Sequence, residues 1–328
     1  MAQRENSIEL ALEGLRGAVR AEVARVLNAA EDARPEARAW IRSLLGRLRR
    51  DGAFDRAHRV GITGPPGVGK SMLVAAITRA LRKGGAPRTV GILAVDPSSI
   101  RSGGALLGDR VRIALDPKDE GVFLRSLATS GELGGLARSV PVSVLLLSAA
   151  FDVVLVETVG IGQSETDVRH VVDTVVFVVQ PGSGDALQYL KAGVMEVPNV
   201  IVVNKADHAE TARATAREVG AAVASLRAAG IGDAEPPVFL TSARDGTGVE
   251  ILVEALGDRR TALAKAGALE TVRRQGTIAW ALRAFVRAYG EVGVTRAGGE
   301  RAVAAEIAAR VDAGDEVLGI VDALAPYD

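Results

Sequence analysis

The chain has 328 residues, enough to bury a full core as one large domain or one domain with extensions. Its 40 basic and 40 acidic side chains cancel, so no global field draws it to nucleic acid or to an anionic membrane, and its partners must be sought at local sites. The absence of cysteine excludes disulfides and thiolate metal centres and fits a reducing compartment.

The opening "MAQRENSIELALEGLRG" lacks the apolar core and small-residue cleavage site of a secretory signal. The longest apolar stretches, around Val144 to Leu147 and Val175 to Val179, are far too short to span a bilayer. The expectation is a soluble cytoplasmic protein. Residues 1–55 are rich in Ala, Leu, Arg and Glu, with Ile41, Leu44, Leu45 and Leu48 at helical spacing, and read as an N-terminal helical extension. The run Arg47, Leu48, Arg49, Arg50 reads as a solvated helix end rather than a basic contact patch.

From His58 the pattern changes to short apolar runs alternating with helical stretches: "RVGIT", "TVGILAVD", "DVVLVET", "TVVFVVQ", "NVIVVNKAD" and "PVFLTSA". Each is apolar throughout, as expected of strands covered on both faces, and the alternation predicts an α/β fold with a mostly parallel sheet flanked by helices over 56–257. Ligands of such sheets sit at the carboxyl ends of the strands, so the residues just after each run carry the chemistry.

The first run leads into Gly64-Pro65-Pro66-Gly67-Val68-Gly69-Lys70-Ser71, which fits G-x-x-x-x-G-K-[ST] between a strand and a helix. The physics of that placement is anion binding: backbone N–H groups curl around a β-phosphate and the helix adds its positive end. Lys70 bridges the β- and γ-phosphates in this pattern, and the Ser71 hydroxyl ligates Mg²⁺. The nucleotide-binding set thus runs from Gly64 to Ser71 and on to Met72.

Two later strands end in acids, Asp96 in "LAVDPSS" and Glu157 in "VLVETVGIGQSE", and these complete the candidate Mg²⁺ set with Ser71. For Asp96 a turn acid before Pro97 is the competing reading. Between them "SSIRSGGALLGDRVR" holds Asp109, which can orient the attacking water or touch the metal, although a plain surface loop is as good a reading. Gly160 can bring a backbone N–H to the γ-phosphate, so Lys70, Asp109 and Gly160 form the candidate catalytic set. Gln163 lies three residues past Gly160 and is given no water-positioning role.

The base is read from "NVIVVNKAD". The Asp207 carboxylate can accept two hydrogen bonds from the N1–H and N2–H₂ edge of guanine, a pair of donors that adenine lacks. Lys205 lies along the base plane and Asn204 braces the loop, while Ser242 and the Ala243 N–H in "FLTSARDGTG" support the base and its O6. Together these favour GTP/GDP with Mg²⁺ over ATP. No arginine finger is evident, which predicts slow hydrolysis by the isolated protein and acceleration by a partner. After Leu256 the strand signal stops. "LRAFVRAYGEV" puts Leu282, Phe285, Val286 and Tyr289 on one helix face, and 258–328 reads as a C-terminal helical region packed on the main domain or on another subunit.

The combination "GPPGVGKS", "VDPSSIRSGGALLGDR", "ETVGIGQSE" and "NKAD" resembles the MeaB/ArgK family of G proteins, over nearly the whole chain and including "RRQGTIAWAL" in the tail. The resemblance implies a GTPase chaperone that gates cofactor loading and protects an adenosylcobalamin-dependent acyl-CoA mutase, with methylmalonyl-CoA mutase the default client. It also implies a homodimer joined through the C-terminal helices, giving Phe285 and Tyr289 a partner. A third mobile loop of the family matches "PGSGDALQYLKAG", which makes Asp185 and Lys191 candidates for coupling nucleotide state to the mutase. The rival reading is a metal-insertion GTPase of the hydrogenase or urease maturation type. It needs Cys or His ligands, and this chain has no Cys and only the scattered His58, His170 and His208.

Overall fold

The computed structural model describes residues 2–83, 86–96, 113–128, 139–158, 167–182, 198–228, 235–315 and 317–324. Three helices come first, α1 (Ala2–Arg16), α2 (Arg20–Glu31) and α3 (Pro35–Arg50). The four apolar positions at helical spacing in α3, Ile41, Leu44, Leu45 and Leu48, are all buried. Arg47, beside Leu48, is exposed and pairs with Glu9 of α1 at 3.0 Å.

Among the described residues seven strands form one sheet: β1 (His58–Thr63), β2 (Val90–Asp96), β3 (Val122–Ala128), β4 (Val153–Glu157), β5 (Thr174–Val179), β6 (Val200–Val203) and β7 (Val238–Leu240). Their order is β3-β2-β4-β1-β5-β6-β7, with every neighbouring pair parallel. All six predicted strands are present. The seventh, β3, is an edge strand whose sequence VFLRSLA carries Arg125 and Ser126 in its middle and so gave no continuous apolar run.

Helices α4 (Lys70–Arg82) and α7 (Val249–Lys265) cover one face over Val60, Ile62, Ile92, Leu155 and Val176. On the other face lie α5 (Ser139–Ala150) and α6 (Ala209–Ala228), the latter over Phe177, Val179, Ile201 and Val203. Residues next to each other on one strand, such as Val154 and Leu155, fall in opposite cores, which is why the strands are apolar throughout. The core around α5 also takes in Leu12, Val26 and Leu44 from the first three helices. It continues to Trp280 and Phe285 of α8 (Ala268–Arg296, kinked at Gly290) and to α9 (Glu300–Asp312) and α10 (Val317–Ala323). Phe285 is fully buried inside this chain and lies 4.8 Å from the Tyr289 ring, so it does not present the partner-facing stripe that the resemblance implied. Among the described residues no helix is long and apolar enough to cross a membrane.

At the amino ends of the central strands a buried ionic network fastens α8 to the sheet. Arg273 grips Asp173 with two hydrogen bonds, Nε to Oδ1 at 2.7 Å and a terminal nitrogen to Oδ2 at 2.8 Å, and also donates to the carbonyls of Phe54 and Ala57, both at 2.8 Å. Burial pushes the Asp173 carboxyl up, but the Arg273 bonds and the charges of Arg273 and Arg59 outweigh it and hold the group below its usual range. The buried imidazole of His58, whose Nε2 lies 3.0 Å from Thr174 Oγ1, is pushed down to about 4, chiefly by desolvation.

Candidate functional site

The opposite, carboxyl edge of the sheet gathers the candidate residues. β1 ends at Thr63 and the chain turns through Gly64 to Gly69 into α4, which starts at Lys70. Two of the glycines are required by contact. A Cβ on Gly64, at φ +140°, would stand 2.1 Å from the Val178 carbonyl oxygen of β5, and one on Gly69, at φ +92°, would stand 2.6 Å from Asn204 Nδ2. The turn is thereby pressed onto β5 and onto the segment after β6. Pro66, Gly67 and Met72 are exposed, Pro65 is half-buried, and Val68 is buried.

Lys70 is 7% exposed, and its ammonium donates to the carbonyls of Gly64 at 2.7 Å and Pro65 at 2.9 Å. A cation resting on two neutral carbonyls exchanges them readily for the more strongly accepting oxygens of a phosphate. The Ser71 hydroxyl donates to Glu157 Oε1 at 2.6 Å. Glu157 closes β4 and lies opposite Ile62 of β1 and Ala94 of β2, so the sheet register carries its buried carboxylate to the start of α4. Asp96 closes β2, two residues beyond Ala94. Next to Glu157, Thr158 is fixed by its N–H to the Ile62 carbonyl at 3.1 Å and by its hydroxyl to Thr63 Oγ1 at 3.0 Å.

The second half of the site follows β6 and β7. Asn204 is buried and links three segments: Nδ2 donates to the Val68 carbonyl at 2.9 Å, and Oδ1 accepts from the Ala243 N–H at 3.1 Å and from Thr241 Oγ1 at 3.3 Å. Lys205 has a left-handed backbone, φ +61°, and its ammonium donates to the Gly67 carbonyl at 2.8 Å and to Gln180 Oε1 at 2.6 Å. Asp207 keeps 29% of its side chain exposed and lies 3.8 Å from His208 Nε2. Ser242 is fully buried, its N–H donating to the Thr247 carbonyl at 2.9 Å and its carbonyl accepting from the Gly246 N–H at 2.8 Å.

The structure therefore brings Gly64 to Ser71, Glu157, Asn204, Lys205, Ser242 and Ala243 to one edge of the sheet. Asp109, Gly160, Gln163, Asp185 and Lys191 lie outside the described residues, and so does the Asp96 side chain. The sequence reading passed over Gln180, although it directly follows the run "TVVFVV", where the strand-end rule directs attention.

Comparison with known proteins gives one family model, described as methylmalonyl-CoA mutase-associated GTPase MeaB, matching residues 23–289. A probable GTPase of Mycobacterium tuberculosis is 42% identical over 271 residues, covering 81% of this chain and 79% of the relative. The GTPase ArgK of Escherichia coli is 36% identical over 278 residues, covering 84% and 83%. The mouse protein called methylmalonic aciduria type A homolog, mitochondrial, is 34% identical over 226 residues, covering 68% of this chain and 54% of that one. A crystal structure described as an LAO/AO transport system kinase superposes with a TM-score of 0.63 at 27% identity over 98% of this chain and 97% of the other.

Proposed function

This chain belongs to the MeaB family of methylmalonyl-CoA mutase-associated GTPases, and from that premise we propose that it is the guanine-nucleotide switch of an adenosylcobalamin-dependent acyl-CoA mutase. In this reading GTP binding and hydrolysis gate loading of the cobalamin and protect the mutase, with methylmalonyl-CoA mutase the first client to test. The name of the matching family and that of the mouse relative support the choice of client.

The observation that carries the nucleotide assignment is the meeting of the Gly64–Ser71 turn with the Asn204–Asp207 segment through Asn204 and Lys205. On this proposal Lys70 leaves the Gly64 and Pro65 carbonyls for the β- and γ-phosphates, and Asp207 reads the guanine edge. Lys205 flanks the base, and Ser242 and Ala243 support it. The Ser71 hydroxyl and the Glu157 carboxylate form a hard-oxygen pair of the kind Mg²⁺ accepts when phosphates and water supply its other ligands. Ser71, Glu157 and Asp96 are the residues proposed to hold it. Bound there, the ion would neutralise charge on the phosphates. Asp109 and Gly160 remain proposed contributors to hydrolysis.

We further propose the division at about residues 55 and 257 into N-terminal helices, GTPase domain and C-terminal helices. Homodimerisation through the last part is supported by Val286 and Val292 of α8, which are 38% and 66% exposed. The test is GTP hydrolysis by the purified protein with and without a cobalamin-dependent acyl-CoA mutase from the same cell. Stimulation by the mutase is the expected result. A rate that no such mutase alters would remove the client assignment and leave the GTPase.

A further inference from the structure

We propose that Gln180 is a positioning residue for nucleotide binding, acting through the Lys205 ammonium. The proposal rests on the reading of Asn204–Asp207 as the base-binding segment. β5 and β6 are parallel neighbours with Val179 opposite Val203, so Gln180 and Asn204 leave the sheet side by side, and the Asn204 N–H donates to the Val179 carbonyl at 2.9 Å. This register puts the Gln180 amide within reach of the residue after Asn204.

Lys205 is exposed and has a left-handed backbone, a conformation uncommon for a lysine. A long exposed side chain of this kind samples many rotamers unless acceptors hold its head. Here two do, from different segments: the Gly67 carbonyl of the phosphate-side turn at 2.8 Å and Gln180 Oε1 at 2.6 Å. An ammonium has three donors and no acceptor, so the amide oxygen is the atom of Gln180 that meets it. With the head fixed at both points, the aliphatic stem is set in one course before any base arrives, and a base packing on it has less side-chain freedom left to freeze. Gln180 also opens the β5–β6 connection, whose Gly182 N–H donates to Thr215 Oγ1 of α6 at 3.1 Å. The same amide thus ties that connection to the phosphate-side turn by way of one lysine.

The experiment is the dissociation rate of a fluorescent GDP analogue from the full chain, compared among wild type, Gln180→Met, Gln180→Glu, Lys205→Met and the Gln180→Met/Lys205→Met double variant. Methionine keeps the length of the side chain and removes the acceptor. Loss of one charge-assisted hydrogen bond at an exposed site should accelerate dissociation by roughly three- to tenfold. Gln180→Glu, which supplies an acceptor, should return the rate to the wild-type value or below it. In the Lys205→Met background, Gln180→Met should add nothing, because its effect passes through the lysine. The ratio of GDP to IDP affinity should not move, since the edge of the base is read elsewhere.

Wild-type dissociation from Gln180→Met, or effects that multiply in the double variant, would overturn the proposal, as would a fall in melting midpoint without faster dissociation. If wild type itself shows no preference for guanine over adenine nucleotide, the base-site reading falls and this proposal falls with it. If wild type discriminates and Gln180→Met releases the analogue at the wild-type rate, this proposal falls alone.

Discussion

Replacing Arg273 with alanine should destabilise the protein by about 4 kcal/mol, the middle of the range for removing one member of a buried ion pair. Asp173 has no exposed side-chain area, and Arg273 supplies both of its charged hydrogen bonds at 2.7 and 2.8 Å. What remains to the carboxylate is the Arg59 N–H at 3.0 Å and the nearby Arg59 charge. The carbonyls of Phe54 and Ala57 also lose donors, but the vacated guanidinium volume admits water, so their loss is not added in full. At about 2 °C per kcal/mol for a chain of this size, the melting midpoint should fall by about 8 °C, readable in urea or heat through the fluorescence of buried Trp280. The pH dependence sharpens the test. In the wild type the Asp173 carboxyl is held low, so its contribution is present at neutral pH and is lost as pH falls through its folded value. Without Arg273, desolvation, the largest influence on that carboxyl, is opposed only by the Arg59 N–H and charge. The group should then protonate at higher pH than in the wild type, and the deficit of the variant should shrink as pH falls from 7. A loss under about 1 kcal/mol, or a deficit that grows on acidification, would refute the reasoning.

Glu157→Gln keeps an acceptor for the Ser71 hydroxyl and removes the charge, so Mg²⁺-dependent GTP hydrolysis should fall by at least about tenfold, while GDP affinity without Mg²⁺ changes less than about threefold. Equal losses in both assays would make Glu157 structural. Asp207→Asn turns an acceptor-only group into one whose donors face guanine donors, and should cut the preference for GTP over ATP by roughly 100-fold in competition binding. An unchanged preference would remove Asp207 from base reading. His58 is kept neutral by burial, with its pKa pushed down to about 4, so wild-type stability should decline as pH falls from about 6.5 towards that value, by on the order of 3 kcal/mol. Urea midpoints for wild type and His58→Gln across that interval check this, and the variant should lack that part of the slope.

The phosphate-side turn was legible because its glycines have nothing else to do: Gly64 and Gly69 sit where side chains would strike β5 and Asn204. The five central strands were legible because they are walled by neighbours and covered on both faces. The half-buried edge strand β7 was legible because its short run VFL is apolar throughout, whereas edge strand β3, with Arg125 and Ser126 in its middle, was not. Its Arg125 reaches out to pair with Glu31 of α2, and Arg20 of the same helix donates to the Pro117 and Val122 carbonyls at 3.1 and 2.9 Å. The N-terminal helices clasp an edge that no apolar pattern announces. Helix α5, SVPVSVLLLSAA, was equally opaque: ten of its twelve residues are buried, so helical periodicity has nothing exposed to contrast with. Spacing identified the Phe285 stripe as a packing face but left open whether it covers the main domain or another subunit; Phe285 itself packs in this chain's own core, while Val286 of the same stripe stays exposed. In the site, spacing identified Asn204 and Lys205, but their bonds to Val68, Gly67 and Gln180 come from the register of β5 and β6 and from the turn's approach to them, which only the fold supplies.

The most direct test of the account is displacement of a fluorescent GDP analogue from the purified chain by GTP and by ATP, in wild type and in Lys70→Ala. The account predicts that GTP displaces it at a concentration at least about 100-fold below ATP, and that Lys70→Ala loses most of its GTP affinity. Equal displacement by ATP, or GTP binding by Lys70→Ala as tight as in wild type, would contradict the assignment of this edge of the sheet as a guanine-nucleotide site.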